Sequence, residues 1–434
     1  METANYQVGG DIRLRIDRMA HGGEGIGRAG DGRIVFARGG FPGDEVVVCL
    51  DKVKKSMLRG TVTEVAAAGP VRVNSACPAA AAGAGCCDFA EVDPAQELGI
   101  KADVLRDQLA RVGHLGADGE LPELELRDQL ARVGHLGADG ELPELELREL
   151  PPHRGWRTRV RLGVDSRGRA GTRKRASNDL VTDVACTQLA PGLVDGIVGP
   201  GARTFTPGAE VIAVLDSTGA RHVIETRKGP RGKRVEKIEQ VVEGTAGVVE
   251  EVDGHRFEFP ATAFWQAHRG APEAYTGLVA ELLGTGHGPA WDLYGGVGLF
   301  VPTLSAATGG AETYSVDLSP AARPDQQPGL AEYAVRVKSA RVDKAIGQLP
   351  PADAVVLDPP RVGAGAEVVA RITEATPKRV VHIGCDPAAL SRDLSAWVEA
   401  GYGIDRLVVV NAFPGTHHFE TLVLLTPRAG HDVR

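Results

Sequence analysis

The chain has 434 residues, of which 43% are hydrophobic and 24% charged, and a formal net charge of -8. That length is too great for one ordinary core and calls for two or three domains of a folded, water-compatible kind. No stretch approaches the roughly 20 apolar residues that cross a bilayer, and Met1-Glu2-Thr3-Ala4-Asn5 lacks the regions of a secretory leader, so the sequence reads as a cytoplasmic monomer with no membrane partner.

Residues 1–65 read as a small antiparallel β-unit. Strand-like runs (Ile12–Ile16, Arg33–Ala37, Glu45–Leu50, Gly60–Val65) alternate with glycine turns such as Gly22–Gly27. On Gly23, Gly25, Gly27, Arg28, Val35-Phe36 and Phe41-Pro42-Gly43-Asp44-Glu45-Val46 the unit resembles a TRAM domain, an OB-like β-barrel of RNA-modifying enzymes. Such barrels present a face to RNA.

Residues 66–259 read as a mixed, β-rich central domain. A helix near 93–115 carries Ile100, Val104, Leu105, Leu109 and Val112 on one side and is a candidate to pack on the domain that follows. Asp107–Arg127 is then repeated without change as Asp128–Arg148. Each copy holds five acids and two arginines, so the pair supplies -6 of the -8. Two copies do not make a solenoid. The tandem duplication over 107–148 reads as a surface excursion without a catalytic role. Beyond it, Arg154, Arg157, Arg159, Arg161, Arg167, Arg169, Arg173, Lys174 and Arg175 crowd a span whose only acid is Asp165, and Arg227, Lys228, Arg231, Lys233 and Arg234 form a second basic run. Two such runs in an acidic chain point to a polyanion partner, against the plainer reading of a solvated surface.

From residue 260 to 434 apolar strands alternate with helices, the pattern of a doubly wound α/β domain. Four strand ends there deliver polar residues. Trp291-Asp292-Leu293 runs into the glycine-rich turn Tyr294-Gly295-Gly296-Val297-Gly298, where backbone can approach a ligand closely. Asp317 ends the next strand and is spaced to accept the hydroxyls of a ribose. Asp358 precedes Pro359-Pro360-Arg361, whose prolines stiffen the strand exit. Cys385 follows Val380–Gly384, and Glu420 leads into Leu422–Leu425 as a base beside a thiol. Taken singly, each has a bland reading: a nucleotide-binding turn, a plain Asp-Pro-Pro turn, a buried cysteine, a surface acid.

Together they carry a family resemblance. Asp292-Leu293-Tyr294-Gly295-Gly296-Val297-Gly298, Asp358-Pro359-Pro360-Arg361, Cys385-Asp386-Pro387, Leu390-Ser391-Arg392-Asp393-Leu394, Phe413-Pro414-x-Thr416-x-His418-x-Glu420 and Phe264-Trp265-Gln266 resemble the RNA (uracil-5-)methyltransferase family. With the N-terminal barrel, the likeness is to the TRAM-bearing 23S rRNA enzymes. It implies a Rossmann-like class I methyltransferase domain and S-adenosyl-L-methionine as methyl donor. It also implies a Cys385 nucleophile, a Glu420 base, and a cofactor pocket of Gln266, Tyr294, Asp317 and Asp358. RNA is the implied partner, ribosomal before transfer RNA, with a flipped base. Leu299, His268 and Asn411 stand where many members have Asn, Asn and Asp. Many TRAM members also hold a [4Fe-4S] cluster. Cys77, Cys86, Cys87 and Cys186 match its ligand count but not its spacing, because Ala84 replaces one cysteine and Cys86-Cys87 are adjacent, so the reading favours reduced structural thiols over a cluster. Two alternatives remain at this point. A non-catalytic RNA-binding scaffold conflicts with the retained Cys385 and Glu420. A DNA cytosine-5 methyltransferase would place its cysteine after a proline, and none precedes Cys385.

Overall fold

The structure is a computed structural model that describes residues 6–115, 142–229, 237–319 and 328–428. Its first five strands, β1 (Asp11–Met19), β2 (Glu24–Arg28), β3 (Ile34–Arg38), β4 (Glu45–Val53) and β5 (Met57–Ala67), close into a barrel in the order β1-β2-β3-β5-β4. Alternation drives it: Leu14, Ile16, Val35, Ala37, Val46, Val48 and Leu50 point inward and are buried. The barrel is not wholly antiparallel, since β3 and β5 run parallel. Four of the six residues of the expected Gly22–Gly27 turn belong to strand β2 instead. A Cβ on Gly25 would lie 2.5 Å from the Gly40 carbonyl and one on Gly27 2.2 Å from that of Arg15, so these glycines serve close strand packing. Asp44, fully buried, accepts hydrogen bonds from the amides of Phe41 and Gly69 and pairs with Arg72, which ties the barrel to the next segment.

That segment opens with α1 (Pro78–Ala81) and α2 (Pro94–Arg111). Asp93 caps α2 by accepting from the Ala95 amide, and Pro94 starts it, as helix N-termini favour. Ile100, Val104, Leu105 and Leu109 are buried along one side of α2. Strand β6 (Leu145–Glu149) follows. A six-stranded antiparallel sheet comes next: β7 (Arg159–Val164), β8 (Ala170–Arg173), β9 (Leu180–Val181), β10 (Glu210–Leu215), β11 (Arg221–Lys228) and β12 (Lys237–Glu243), in the order β12-β11-β10-β7-β8-β9. A hairpin of β13 (Gly247–Val252) and β14 (His255–Pro260) leads into the last domain.

The last domain is built on β15 (Ala290–Leu293), β16 (Thr313–Asp317), β17 (Val335–Ser339), β18 (Ala354–Leu357), β19 (Arg379–Gly384), β20 (Tyr402–Asn411) and β21 (Glu420–Pro427). Its helices are α3 (Ala271–Leu283), α4 (Val301–Ala307), α5 (Val342–Ala345), α6 (Ala366–Glu374) and α7 (Pro387–Glu399). The sheet order is β17-β16-β15-β18-β19-β21-β20-β6, with β15 to β19 parallel and β21 antiparallel between β19 and β20. The strands β15 and β18 are buried on both faces, which is why β18 reads as an unbroken apolar run and β15 as one broken only by Asp292.

The duplication is more than an excursion. Its first copy supplies the end of α2, and its second supplies β6, which pairs in parallel with β20 at the sheet edge. Arg406 on β20 holds Glu146 of β6 with two hydrogen bonds. Residues 116–141 lie outside the described residues. Among the described residues no helix is long and apolar enough to cross a membrane.

Candidate active site

Parallel strands put their carboxyl ends on one edge of the sheet, and the connections there form a crevice. β15 delivers the turn from Tyr294, β16 Asp317, β18 Asp358 and β19 Cys385. Because β21 runs the other way, its first residue arrives at the same edge. Gly384 pairs with Thr421, so the next position in the register sets Cys385 opposite Glu420.

Charge is concentrated there. Glu420 is buried, its Oε2 has no hydrogen-bond partner, and burial and then the neighbouring Asp358 push its carboxyl far above the usual range. Burial, with Asp292 beside it, raises Asp358 to about 7. Asp292 is itself raised to about 7 by burial; its Oδ2 accepts from the Ser315 hydroxyl at 2.9 Å while its Oδ1 has no partner. The Cys385 thiol is pushed up to about 12, first by burial, then by Glu420 and Asp358, with Arg361 opposing. Burial and mutual repulsion thus raise the carboxyls of the crevice together.

Two side chains here were not legible in the sequence. Tyr275 on α3 is buried, its hydroxyl has no hydrogen-bond partner, and Glu420, Asp358 and Cys385 are the charges that face it. In sequence it is one apolar-face position of an ordinary helix. Asp292 stood out only as part of a glycine-rich motif.

Tyr294 is half-buried and takes a φ of 61°, and its amide donates to the Val316 carbonyl at 2.9 Å. Asp317 accepts from the Gly296 amide at 3.1 Å through Oδ2 and from the Ser319 amide through Oδ1, which fixes the carboxylate at the end of β16. Gln266 is buried between β14 and α3, and no hydrogen bond joins it to the carboxyl group set. Its neighbour Phe264 is 77% exposed. The structure therefore brings Cys385, Glu420 and Asp358 together, sets Tyr294 and Asp317 on the adjacent strand ends, and leaves Gln266 on its own connection.

The departures from the family pattern have structural homes. Leu299 is buried in the core beside α3 and α4. His268 stacks on Trp156, accepts the Gly270 amide at Nδ1, and lies with Nε2 3.3 Å from the Pro152 carbonyl, a pattern that suits a neutral ring, and burial lowers its pKa to about 4. Asn411 accepts from Lys101 Nζ at 2.6 Å and donates to Glu149 at 2.9 Å, which no aspartate could do with both oxygens. Asp393 of the Leu390–Leu394 motif accepts from the amides of Ala364 and Gly365 and so pins the loop after Arg361.

A cleft of about 230 Å³ opens on Cys385. His21 and Gly22 of the barrel, Phe89, Arg361, Asp386, His417 and His418 are among its walls. His21 Nε2 lies 2.9 Å from the Asp386 carboxylate, so the barrel reaches the residue next to the thiol.

The basic span after residue 154 is less free than its sequence suggests. Arg161 and Arg173 meet Glu210 of β10, Arg169 meets Asp165 and, in the connection after β9, Asp183, and Arg159 meets Glu250 of β13. Arg154, Arg167 and Lys174 remain exposed, with no acid partner among the described residues. Arg227 and Lys228 are exposed at the end of β11, while Arg231, Lys233 and Arg234 lie outside the described residues.

Comparison with known proteins agrees with this geometry. Residues 6–63 match the TRAM domain and residues 348–428 match the tRNA (Uracil-5-)-methyltransferase family. An RNA methyltransferase of Corynebacterium efficiens is 51% identical, covering 98% of this chain and 97% of its own length, and one of Corynebacterium glutamicum is 50% identical over 97% and 98%. The chain belongs to the TRAM-bearing RNA (uracil-5-)methyltransferase family. A Streptomyces avermitilis member is 30% identical over 97% of this chain. Among solved structures, the Pyrococcus abyssi tRNA (uracil-54, C5)-methyltransferase in complex with S-adenosyl-L-homocysteine shares the fold, with a TM-score of 0.67, 18% identity and coverage of 96% of this chain and all of that one. The protein is an S-adenosylmethionine-dependent RNA methyltransferase of the class I fold with an N-terminal TRAM barrel.

Proposed function

We propose that this family member methylates carbon 5 of a uridine in RNA through a covalent bond to Cys385, with 23S ribosomal RNA as the substrate. The observation that carries the reading is the register of β19 against β21, which sets a thiol opposite a buried, unpartnered carboxyl. Uridine carbon 5 is a weak nucleophile. Addition of the Cys385 sulfur at carbon 6 moves the ring electrons onto carbon 5. When bound, S-adenosylmethionine supplies an electrophilic methyl group. Glu420 then accepts the proton left on carbon 5, the carbon 5–carbon 6 double bond reforms, and the sulfur leaves.

The residues suit that cofactor. Asp317 offers a fixed carboxylate for ribose hydroxyls, Gly296 allows close approach, and Asp292 and Asp358 place negative charge where a cation would be held. Gln266 and Tyr294 complete the pocket in this reading. Burial, then Glu420 and Asp358, raise the Cys385 thiol, and the positive charge of the cofactor would oppose those two carboxylates. The TRAM barrel at residues 1–65, with His21 at the cleft, supports RNA capture beside the 260–434 catalytic domain and favours ribosomal RNA.

A denaturing gel with labelled RNA and, separately, labelled methyl donor tests the chemistry. Cys385→Ala forms no adduct and no product. Glu420→Gln accumulates an adduct that already carries the methyl group. Methylation by Cys385→Ala would refute the covalent route, and normal turnover by Glu420→Gln would remove Glu420 as the base. Mapping 5-methyluridine in the RNA of a deletion strain decides the substrate: loss from transfer RNA alone would overturn the ribosomal assignment.

A further inference from the structure

Helix α3 buries two polar side chains among apolar ones, and they differ in how they are satisfied. Thr276 donates its hydroxyl to the Asp253 carboxylate at 2.8 Å and to the Pro272 carbonyl at 3.0 Å. Tyr275, 1% exposed, has a hydroxyl without a hydrogen-bond partner. Phenylalanine would fill the same space without leaving a polar atom unpaired, so the oxygen costs stability here unless it serves another step.

The fold fixes where that hydroxyl arrives. α3 packs on β19 and β21. Its last residue is held at the start of β19, where Arg379 donates to the Leu283 carbonyl at 2.6 Å. Tyr275 lies about two turns, or about 12 Å, nearer the helix N-terminus, and helical side chains lean further that way. The helix therefore delivers Tyr275 to the far edge of the sheet, where β19 ends and β21 begins. Strand alternation then selects the residue that faces it. On β21, Leu422 packs in the same core cluster as Tyr275, whereas Val423 and Leu425 pack in the cluster on the opposite face. Glu420 is in step with Leu422, so its carboxyl projects on the Tyr275 side. The two groups are complementary: a buried donor without an acceptor faces a carboxyl whose buried Oε2 has no donor.

We propose that Tyr275 is the positioning residue of the base, donating its hydroxyl to the Glu420 carboxylate and aiming it at the proton on carbon 5 of the uridine. The proposal rests on the covalent reading given above. Burial keeps the phenol protonated, so it stays a donor. In the elimination step Glu420 takes the proton from carbon 5. The electron pair of that bond forms the carbon 5–carbon 6 double bond, and the Cys385 sulfur leaves with the pair of its bond to carbon 6. Tyr275 keeps its own proton throughout. A hydrogen bond to a carboxylate favours the charged form, so the tyrosine offsets the burial and the neighbouring Asp358 that oppose ionisation of Glu420. The other titratable or charged groups around Glu420 are Cys385 at the end of β19 and Arg361 beyond Asp358, and β20 sets the apolar Val410 against it.

The full chain and its Tyr275→Phe variant test this on labelled RNA carrying either uridine or 5-fluorouridine, with labelled methyl donor. The fluorinated RNA stops the cycle after methyl transfer, so the adduct it forms counts working sites in each protein and normalises for any loss of folded material. Tyr275→Phe should trap this RNA at the wild-type rate, because addition and methyl transfer precede the step that needs the base. With uridine RNA it should accumulate the methylated adduct and release product about tenfold more slowly or worse, the loss expected for a hydrogen bond to a charged group. Chasing the preformed adduct at rising pH should narrow that gap, because a carboxyl without its donor ionises at higher pH. In a Glu420→Gln background, Tyr275→Phe should slow the residual release no further. Wild-type release by Tyr275→Phe would overturn the proposal. So would an equal slowing of 5-fluorouridine trapping, a gap that stays constant with pH, or full additivity with Glu420→Gln. Wild-type protein that forms no adduct with 5-fluorouridine RNA would instead remove the covalent reading itself, and the role of Tyr275 with it.

Discussion

Replacing Asp292 with Asn separates the cost of the empty crevice from its use. The folded carboxyl is raised to about 7, from an ordinary value of 3.8, because it is buried beside Asp317 and satisfied only by Ser315. A group raised in the folded state contributes stability that is fully present below about pH 4 and lost as pH rises through about 7. A shift of roughly 3 units corresponds to about 4 kcal/mol, an upper bound because the interior relaxes around the charge. Asn keeps an acceptor for Ser315 but puts an N–H group where Oδ1 has no partner, which costs about 1–2 kcal/mol. The ligand-free variant should therefore be more stable than wild type at pH 8, by about 1–2 kcal/mol, and slightly less stable at pH 5. Thermal melting of both proteins at pH 5, 6.5 and 8 measures this crossover. Calorimetric titration should show S-adenosylmethionine binding weakened about tenfold or more, since the carboxylate's charge no longer assists it. A variant whose stability relative to wild type is the same at all three pH values would refute the reasoning.

Removing Asp128–Arg148 gives the same chain as removing Asp107–Arg127, so one copy still supplies both the end of α2 and strand β6. The shorter connection should raise stability by about 1 kcal/mol through loop closure and leave methylation intact, and a chain that fails to fold would refute it. Lys101→Met breaks a buried pair: its amine meets Glu97 and Asn411, and Glu97 also accepts the Gly415 amide, so denaturant melts should show a loss of about 3–5 kcal/mol. A loss under 1 kcal/mol would mean the pair is dispensable. Replacing Arg154, Arg167 and Lys174 with Ala should weaken RNA binding and reduce its salt slope by about 1 for each phosphate no longer neutralised, with cofactor affinity unchanged. Unchanged slopes would return these residues to solvent.

The sequence by itself determined the strand-end chemistry. A thiol, a carboxylate or a glycine turn at the end of an apolar run must face the crevice of a parallel sheet, so Cys385, Asp358, Asp317 and the turn from Tyr294 could be placed from local pattern alone. It also determined the barrel, because alternation of Val35, Ala37, Val46 and Val48 has one inward face. Contacts between residues far apart in the chain were decided only by tertiary structure. The antiparallel insertion of β21 set Glu420 opposite Cys385, and α3 carried Tyr275 to the same group. Sheet pairing brought Glu210, and the packing of a connection and of the β13–β14 hairpin brought Asp183 and Glu250, against a basic span that looked unopposed. The cysteines were likewise gathered by tertiary structure: Cys186, brought in from the far side of the repeat, lies with Cys77 and Cys87 in one buried group. Composition and periodicity record which faces must be buried, and they are silent on which distant faces meet.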